Sequence, residues 1–317
     1  MENPESSSQK WLLIVNPNAG RRKGEKDWPK ISKLLKKNNI EGEVHFTRHR
    51  HHAVLIAKTG IEDGFRKIIV AGGDGTLNEV VNGIFLQTKY PTTDITLAMI
   101  PIGTGNDWGR MYGIKPDYEQ AVQVIKEGKT FIQDTGRVMY KKEKLQKCRY
   151  FINIAGMGYD AIVAEKTNRM KDQGKGGPMS YLVNLLSSLF SYSPNNIRLT
   201  VDGNTSSFRV FSLSVGICRY NGGGMMQLPK ALPDDGLFDI TVIDNIGKME
   251  VISQLKNLYN GSFINHPKVK TYVGKDIRIE SASRLILEAD GESLGSAPFQ
   301  FEMIPKSVKI ITGAKRF

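Results

Sequence analysis

An aspartate set among glycines is the pattern with the plainest chemical meaning in this chain: Gly72-Gly73-Asp74-Gly75-Thr76, followed by Leu77, Asn78 and Glu79. The apolar run Ile68-Ile69-Val70-Ala71 before it reads as a buried strand, and the spacing from Asn78 to Ile84 predicts a helix. The glycines therefore fall at a strand-to-helix turn. Gly72, Gly73 and Gly75 permit positive φ and close backbone approach, while the first amides of a helix present N–H donors and a positive dipole. Such a turn suits phosphate. A carboxylate there repels the anion unless it holds a divalent cation or accepts a proton from an attacking hydroxyl; Asp74 reads either that way or as a plain helix N-cap.

Two further strand patterns end in loops of the same character. Trp11 to Val15 runs into Asn16-Pro17-Asn18-Ala19-Gly20, with Arg21, Arg22 and Lys23 behind it, and Thr96 to Ile100 ends in Pro101-Ile102-Gly103-Thr104-Gly105-Asn106-Asp107. In an open α/β sheet, ligands sit at the carboxyl ends of the strands, so these loops can meet around one nucleotide. Later in the chain, Asp234 and Asp235 lie in a Pro/Gly turn between Ala231 and Asp239, which is either an Asx turn or, with flanking carbonyls, an oxygen cage for a hard cation. Leu287-Glu288-Ala289-Asp290-Gly291-Glu292 by itself reads as a hairpin turn.

The elements that must position these residues alternate at first. Strand patterns at Trp11, Glu43 and Ile68 are separated by helical stripes over Trp28 to Asn38 and Ala53 to Gly60, and the strand at Thr96 is followed by helices near Trp108 and over Tyr118 to Lys126. This rhythm implies a mostly parallel sheet with right-handed crossovers. From Phe131 the pattern becomes short alternating runs bounded by turn residues: Thr130 to Val138, Arg149 to Ala155, Ile197 to Val201, Ser207 to Cys218, Asp239 to Ile243, Ile277 to Glu280, Leu285 to Ala289 and Val308 to Ile311. An antiparallel sandwich or barrel-like domain is expected there. The resulting division is a disordered N-terminus over 1–9, an α/β domain over 10–129 and a β-sandwich domain over 130–317, whose last residues can pack back on the first domain. Within the second part, Gly176 to Phe190 is a helix-length apolar run preceded by a flap-like Lys171 to Gly177, which either caps the sandwich or contacts lipid chains.

The formal charge of +12 implies attraction to anions. The cations are spread along the chain without a basic, aromatic-interleaved stripe, so nucleic acid is not an expected partner. His45, His49, His51 and His52 lie beside Arg48 and Arg50 without carboxylates at ligand spacing, and read as a solvated basic loop. Cys148 and Cys218 are far apart, which suits a reduced intracellular protein. Met1 to Gln9 is not a signal peptide, and no apolar run is long enough to span a bilayer.

Together, Asn16 to Gly20, Gly72 to Thr76 with Asn78-Glu79, and Pro101 to Asp107 resemble the three nucleotide-site motifs of the diacylglycerol kinase and sphingosine kinase superfamily, and among its members the bacterial soluble lipid kinases. NAD kinases and phosphofructokinases share Gly-Gly-Asp-Gly-Thr; the Pro-x-Gly-Thr-x-Asn loop favours the lipid-kinase branch. The resemblance implies ATP-dependent phosphorylation of a lipid hydroxyl, diacylglycerol-like or sphingoid-like. It implies ATP contacts at Asn16, Pro17, Asn18, Ala19, Gly20, Thr47, Gly72, Gly73, Asp74, Gly75, Thr76, Leu77, Asn78, Glu79, Gly103, Thr104 and Asn106. It places Asp74 with the catalytic Mg²⁺, and Asp290 or Glu292 as the base that deprotonates the lipid. It also implies a structural Mg²⁺ held by the Asp235 carboxylate and the carbonyls of Leu232 and Leu237. A cytoplasmic protein that reaches lipid at the inner face of the membrane follows, with a homodimer as a possible assembly. The rival readings are an NAD kinase-like phosphotransferase, and a non-catalytic regulator that binds nucleotide or membrane.

Overall fold

A computed structural model of the protein describes residues 10–172 and 178–313. The disordered N-terminus expected over 1–9 and residues 173–177 of the expected flap lie outside the described residues. Two compact units are present, one comprising residues up to Gln133 together with those from Lys306 onward, the other Asp134–Pro305.

The first unit is a parallel sheet. Strands β1 (Trp11–Val15), β2 (Gly42–Phe46), β3 (Lys67–Gly72) and β4 (Thr96–Pro101) pair in the order β4-β3-β1-β2. Ile14, Ile68, Ile69, Leu97 and Ile100 are fully buried, as expected of strands covered by helices on both faces. The covering helices are α1 (Ala19–Lys37), α2 (His52–Glu62) and α3 (Asp74–Leu86), with α4 (Asp107–Met111) and α5 (Tyr118–Glu127) after β4. Helix α3 starts at Asp74 rather than Asn78, because Leu77 N–H already donates to the Gly73 carbonyl at 3.1 Å. Gly75, Thr76 and Leu77 thus belong to a first helical turn and not to an open loop.

The second unit is a closed ring of antiparallel strands. With β7 (Ile154–Gly158), β8 (Asn195–Val201), β9 (Asn204–Gly216), β12 (Asp276–Ser281), β13 (Ile286–Ala289) and β14 (Glu292–Ile311), the pairings run β7-β9-β8-β12-β14-β13 and back to β7. Strands β10 (Phe238–Asp244) and β11 (Val269–Gly274) extend from β9, and the hairpin β5 (Thr130–Lys142) and β6 (Leu145–Phe151) joins β14. The ring encloses a core that includes Phe151, Leu213, Phe238, Ile277, Phe299 and Phe301.

Three departures from the sequence pattern matter. The run Arg149 to Ala155 is two strands, β6 and β7, because the amides of Ile152 and Asn153 donate to the Asp290 carboxylate at 3.0 Å each and leave the strand ladder. Val308 to Ile311 is the end of β14 and pairs in parallel with β4, so it belongs to the first unit's sheet and not to the antiparallel one. Helices α6 (Tyr159–Asp172) and α8 (Lys248–Asn260) stand where no element was singled out. With α7 (Pro178–Ser191) they supply a second core, where Tyr159, Val163, Leu185, Leu189, Phe211 and Val251 meet.

Candidate active site

In the first unit the three strand-end loops are fastened to one another. Asn16 Nδ2 donates to Thr76 Oγ1 at 2.9 Å, and Asn16 Oδ1 accepts the Asn18 N–H at 3.0 Å. Gly20 is left-handed, with φ 59°, and lies against the Ile102 carbonyl so closely that a Cβ would come within 2.3 Å of the oxygen. A Cβ on Gly103 would stand 2.7 Å from the Gly73 Cα. Each loop therefore needs its glycine in order to touch the next. Gly103→Ala is accordingly expected to push the loops apart, destabilising the unit by about 1–3 kcal/mol and raising KM for ATP; melting curves and ATP titration check this, and unchanged KM in a folded variant would show that the contact does not shape the site.

One acceptor among these loops is left unmet. Asn106 sits in the left-handed region at φ 52°, donates from Nδ2 to the Gly103 carbonyl at 2.7 Å, and keeps a buried Oδ1 with no hydrogen-bond partner among the described residues. An orphaned buried acceptor costs free energy, and a nucleotide N–H or O–H would satisfy it.

Asp74 does not cap its own helix. Its two carboxylate oxygens accept the N–H groups of Asp107 and Trp108, each at 3.2 Å, so it caps the start of α4. The buried Asp107 carboxylate is close by: a Cβ on Gly105 would lie 3.2 Å from an oxygen of each aspartate. Two carboxylates gathered at a glycine loop are a donor set for a divalent cation. Asp107 was visible in its loop, but the sequence offered no sign that it would stand beside Asp74.

The remaining nucleotide candidates divide by burial. Leu77 and Asn78 are buried, the latter hydrogen-bonded to Asn82 Nδ2, and Thr47 is buried with its N–H on the Val15 carbonyl at 2.9 Å. Glu79 accepts from His51 N–H and Ala53 N–H at 2.8 and 3.1 Å and so caps α2. At these positions the hydrogen bonds tie the residues into the fold. Asn18 and Thr104 are exposed, whereas Pro17, Gly73 and Gly75 are half-buried. Arg22, a candidate phosphate cation, forms an ion pair with Glu25 at 2.6 Å. The histidine loop is exposed at His49 and His51, with His49 and His52 rings stacked 4.8 Å apart, and none of it forms a metal-holding group among the described residues.

In the second unit, Asp290 and Glu292 have different surroundings. Asp290 is buried, at φ 50°, and its two oxygens hold the β6–β7 amides described above. Glu292 opens β14 and is half-buried. Between the core and this turn lies Glu288, buried on β13, whose carboxyl accepts from Asn221 Nδ2 at 3.0 Å and Gly291 N–H at 2.9 Å. Burial pushes its pKa up to about 8 from an ordinary 4.5, with the neighbouring Asp160 and Asp290 charges acting in the same direction. Because the folded chain keeps this proton while the unfolded chain has lost it, stability from this group falls as pH rises from 4.5 to about 8 and is flat above. Glu288→Gln should therefore gain in melting temperature over the parent progressively across that window, an outcome read by thermal melts at acid and mildly alkaline pH.

At the Pro/Gly turn, Asp235 Oδ1 accepts the Leu237 N–H at 3.0 Å, an Asx turn, and Asp134 accepts the Gly236 N–H at 2.7 Å. Burial, then the Asp235 charge, pushes Asp239 up to about 6. The Asp235 charge acting on Asp239 marks two carboxylates close together, oxygen donors of the kind that suit a divalent cation. Among the described residues no three acidic, His or Cys side chains converge, so a cation here would need carbonyls, such as those of Leu232 and Leu237, and water beside Asp235.

Comparison with known proteins gives this geometry its setting. Residues 10–138 match the family described as the diacylglycerol kinase catalytic domain, and residues 153–312 match the YegS C-terminal NAD kinase beta sandwich-like domain. A diacylglycerol kinase of Staphylococcus aureus strain RF122 is 30% identical over 94% of this chain and 90% of its own length. The chain belongs to the bacterial soluble lipid-kinase family. A diacylglycerol kinase of Staphylococcus carnosus is 29% identical over 95% of this chain and 94% of its own. A diacylglycerol kinase of Bacillus anthracis shares the fold, with TM-score 0.73 and 24% identity over 97% of this chain and 98% of that one. Yeast NADH kinase is a more distant likeness in fold, TM-score 0.52 at 12% identity, covering 96% of this chain and 84% of that one. As a lipid kinase, the protein takes its phosphoryl group from ATP. No described helix is long and apolar enough to cross a membrane.

Proposed function

We propose that the protein transfers the γ-phosphate of ATP, with Mg²⁺, to the free hydroxyl of a diacylglycerol-like or sphingoid-like lipid drawn from a membrane surface. The observation that carries the lipid acceptor is an apolar-walled cavity in the second unit. Its walls are apolar, among them Tyr159, Leu185, Phe211, Met225, Ile246 and Leu255, while Asp160, Ser212 and Gln227 give it a polar portion. That lining, apolar with a polar end, has the character of a site for an apolar ligand with a polar head. Phe190 and Met249, 63% and 73% exposed, with Lys248 donating to the Phe190 carbonyl, offer an apolar and cationic surface for peripheral contact with anionic lipid at the inner face of a membrane.

In this reading the loop amides and Asn106 hold the nucleotide, and Asp74 with Asp107 hold the metal, which when bound neutralises charge on the transferring phosphoryl group. Glu292 is the better of the two candidate bases. Asp290 spends both oxygens on backbone amides, which ties it to the fold. Asp235 with the Leu232 and Leu237 carbonyls forms the structural Mg²⁺ site. The test is transfer of γ-labelled phosphate from ATP to lipids in mixed micelles, with NAD as a parallel acceptor. Label in one lipid class is the expected result; label in NAD alone, or ATP binding without any transfer, would overturn it.

A further inference from the structure

The second unit carries a buried polar chain that runs from the cavity wall to the acidic turn. Asp160, on the cavity, accepts from Ser212 Oγ at 2.6 Å and from Gln227 Nε2 at 3.3 Å. Gln227 Oε1 accepts from Ser214 Oγ at 3.0 Å and more weakly from Asn221 Nδ2 at 3.4 Å, and Asn221 Nδ2 donates to Glu288 at 3.0 Å. Glu288 then accepts the Gly291 N–H. The opposite strand is shaped to receive this carboxyl: a Cβ on Gly156 would lie 2.7 Å from Glu288 Oε1. An acid in the interior between buried Leu287 and Ala289 is expensive unless it holds something in place. What it holds is a turn with two left-handed residues, Asp290 at φ 50° and Gly291 at φ 82°, pinned also by Asn168 Nδ2 on the Gly291 carbonyl at 2.8 Å.

We propose that Glu288 is a positioning residue for phosphoryl transfer: its carboxyl fixes the Asp290–Gly291 turn, thereby sets where the Glu292 carboxylate stands, and ties that turn through Asn221 and Gln227 to the wall of the lipid cavity. The inference rests on the reading of Glu292 as the base. It requires the shape and hydrogen bonding of the Glu288 side chain and not its charge. The charged groups facing it, Asp160 from α6 and Asp290 from the turn, are both acidic and act against its charge, while the Asn221 and Gly291 donors favour it. A misplacement of about 1 Å in a reacting group is enough to cost on the order of 10²-fold in rate.

The experiment compares Glu288→Ala and Glu288→Gln with the parent in two measurements, lipid phosphorylation and hydrogen–deuterium exchange of peptides covering 286–296. The alanine variant should lose about 10- to 100-fold in kcat with KM for ATP unchanged, and its turn amides should exchange faster. Glutamine, neutral and nearly isosteric, keeps one acceptor but turns a donor toward the other N–H, so it should recover kcat and slow exchange only in part. Equal kcat and equal exchange in alanine and parent overturn the proposal. If the alanine variant does not fold, Asn221→Ala decides: faster exchange in the turn with lowered kcat supports the chain of contacts, and no change in either overturns it. If no lipid is phosphorylated by the parent, the exchange measurement still judges Glu288, so failure of the reaction and failure of the positioning role are told apart.

Discussion

Replacing Asp74 by asparagine is expected to lower kcat by about 100-fold or more, the loss of an electrostatic contact worth roughly 3 kcal/mol in the transition state. Asparagine keeps one acceptor for the amides of Asp107 and Trp108 but turns a donor toward the other. The variant should therefore also lose about 1–2 kcal/mol of stability from the start of α4. Asp74→Ala separates the two roles, since it removes charge and cap together without adding a misdirected donor. If the charge beside Asp107 is what the reaction needs, both variants are equally slow once corrected for folded fraction. If the cap alone matters, activity follows the stability of α4 and asparagine outperforms alanine. A folded Asp74→Asn enzyme with near-normal turnover would remove the residue from the chemistry and leave it as a structural cap.

The second large effect is expected at the acidic turn, where neighbouring carboxylates should fail in different ways. Glu292→Gln should reduce turnover by about 10²- to 10⁴-fold, the range of a lost general base, with KM for ATP and melting temperature nearly unchanged. Asp290→Asn should instead destabilise the second unit by about 2–4 kcal/mol, because one of the Ile152 and Asn153 amides would face another donor in a buried site. Its turnover per folded molecule should stay within an order of magnitude of the parent. The opposite result, a stable but inactive Asp290→Asn beside an active Glu292→Gln, would transfer the base to Asp290. Chemical denaturation alongside steady-state kinetics distinguishes the two outcomes.

The parallel half was legible because its signals are local. Apolar runs at Leu12, Ile68 and Leu97 need helices on both faces, and glycines at Gly20, Gly73 and Gly103 mark where backbone touches backbone. The fold of both halves agrees with the sequence reading in class. What the sequence does not carry is placement across long separations. Asp107 beside Asp74, Glu288 beside Asp160 and Asn221, and the β6–β7 break imposed by Asp290 each depend on which strands become neighbours. Helices α6 and α8 leave a weak sequence signal because their apolar residues face a single small core, with polar residues such as Glu165, Lys166 and Arg169 around the rest. Val308 to Ile311 reads by alternation as one more antiparallel strand, since alternation tells that a strand has a buried face but not which sheet buries it, although the last residues are expected to be able to pack back on the first domain.

The pairing of Lys309 and Ile310 with Thr96 and Leu97 sets an order of assembly. One side of β4 waits for residues more than 200 positions further along the chain, and Thr92 Oγ1 likewise donates to the Ser307 carbonyl. While the chain is being synthesised, the α/β half must keep an apolar strand edge uncovered until the whole antiparallel half has been made. Long-range pairing of this kind slows folding and leaves an edge open to other chains in the meantime. A fragment ending before Lys306 would carry that open edge permanently, so the nucleotide half should be prone to aggregate when expressed without the final strand.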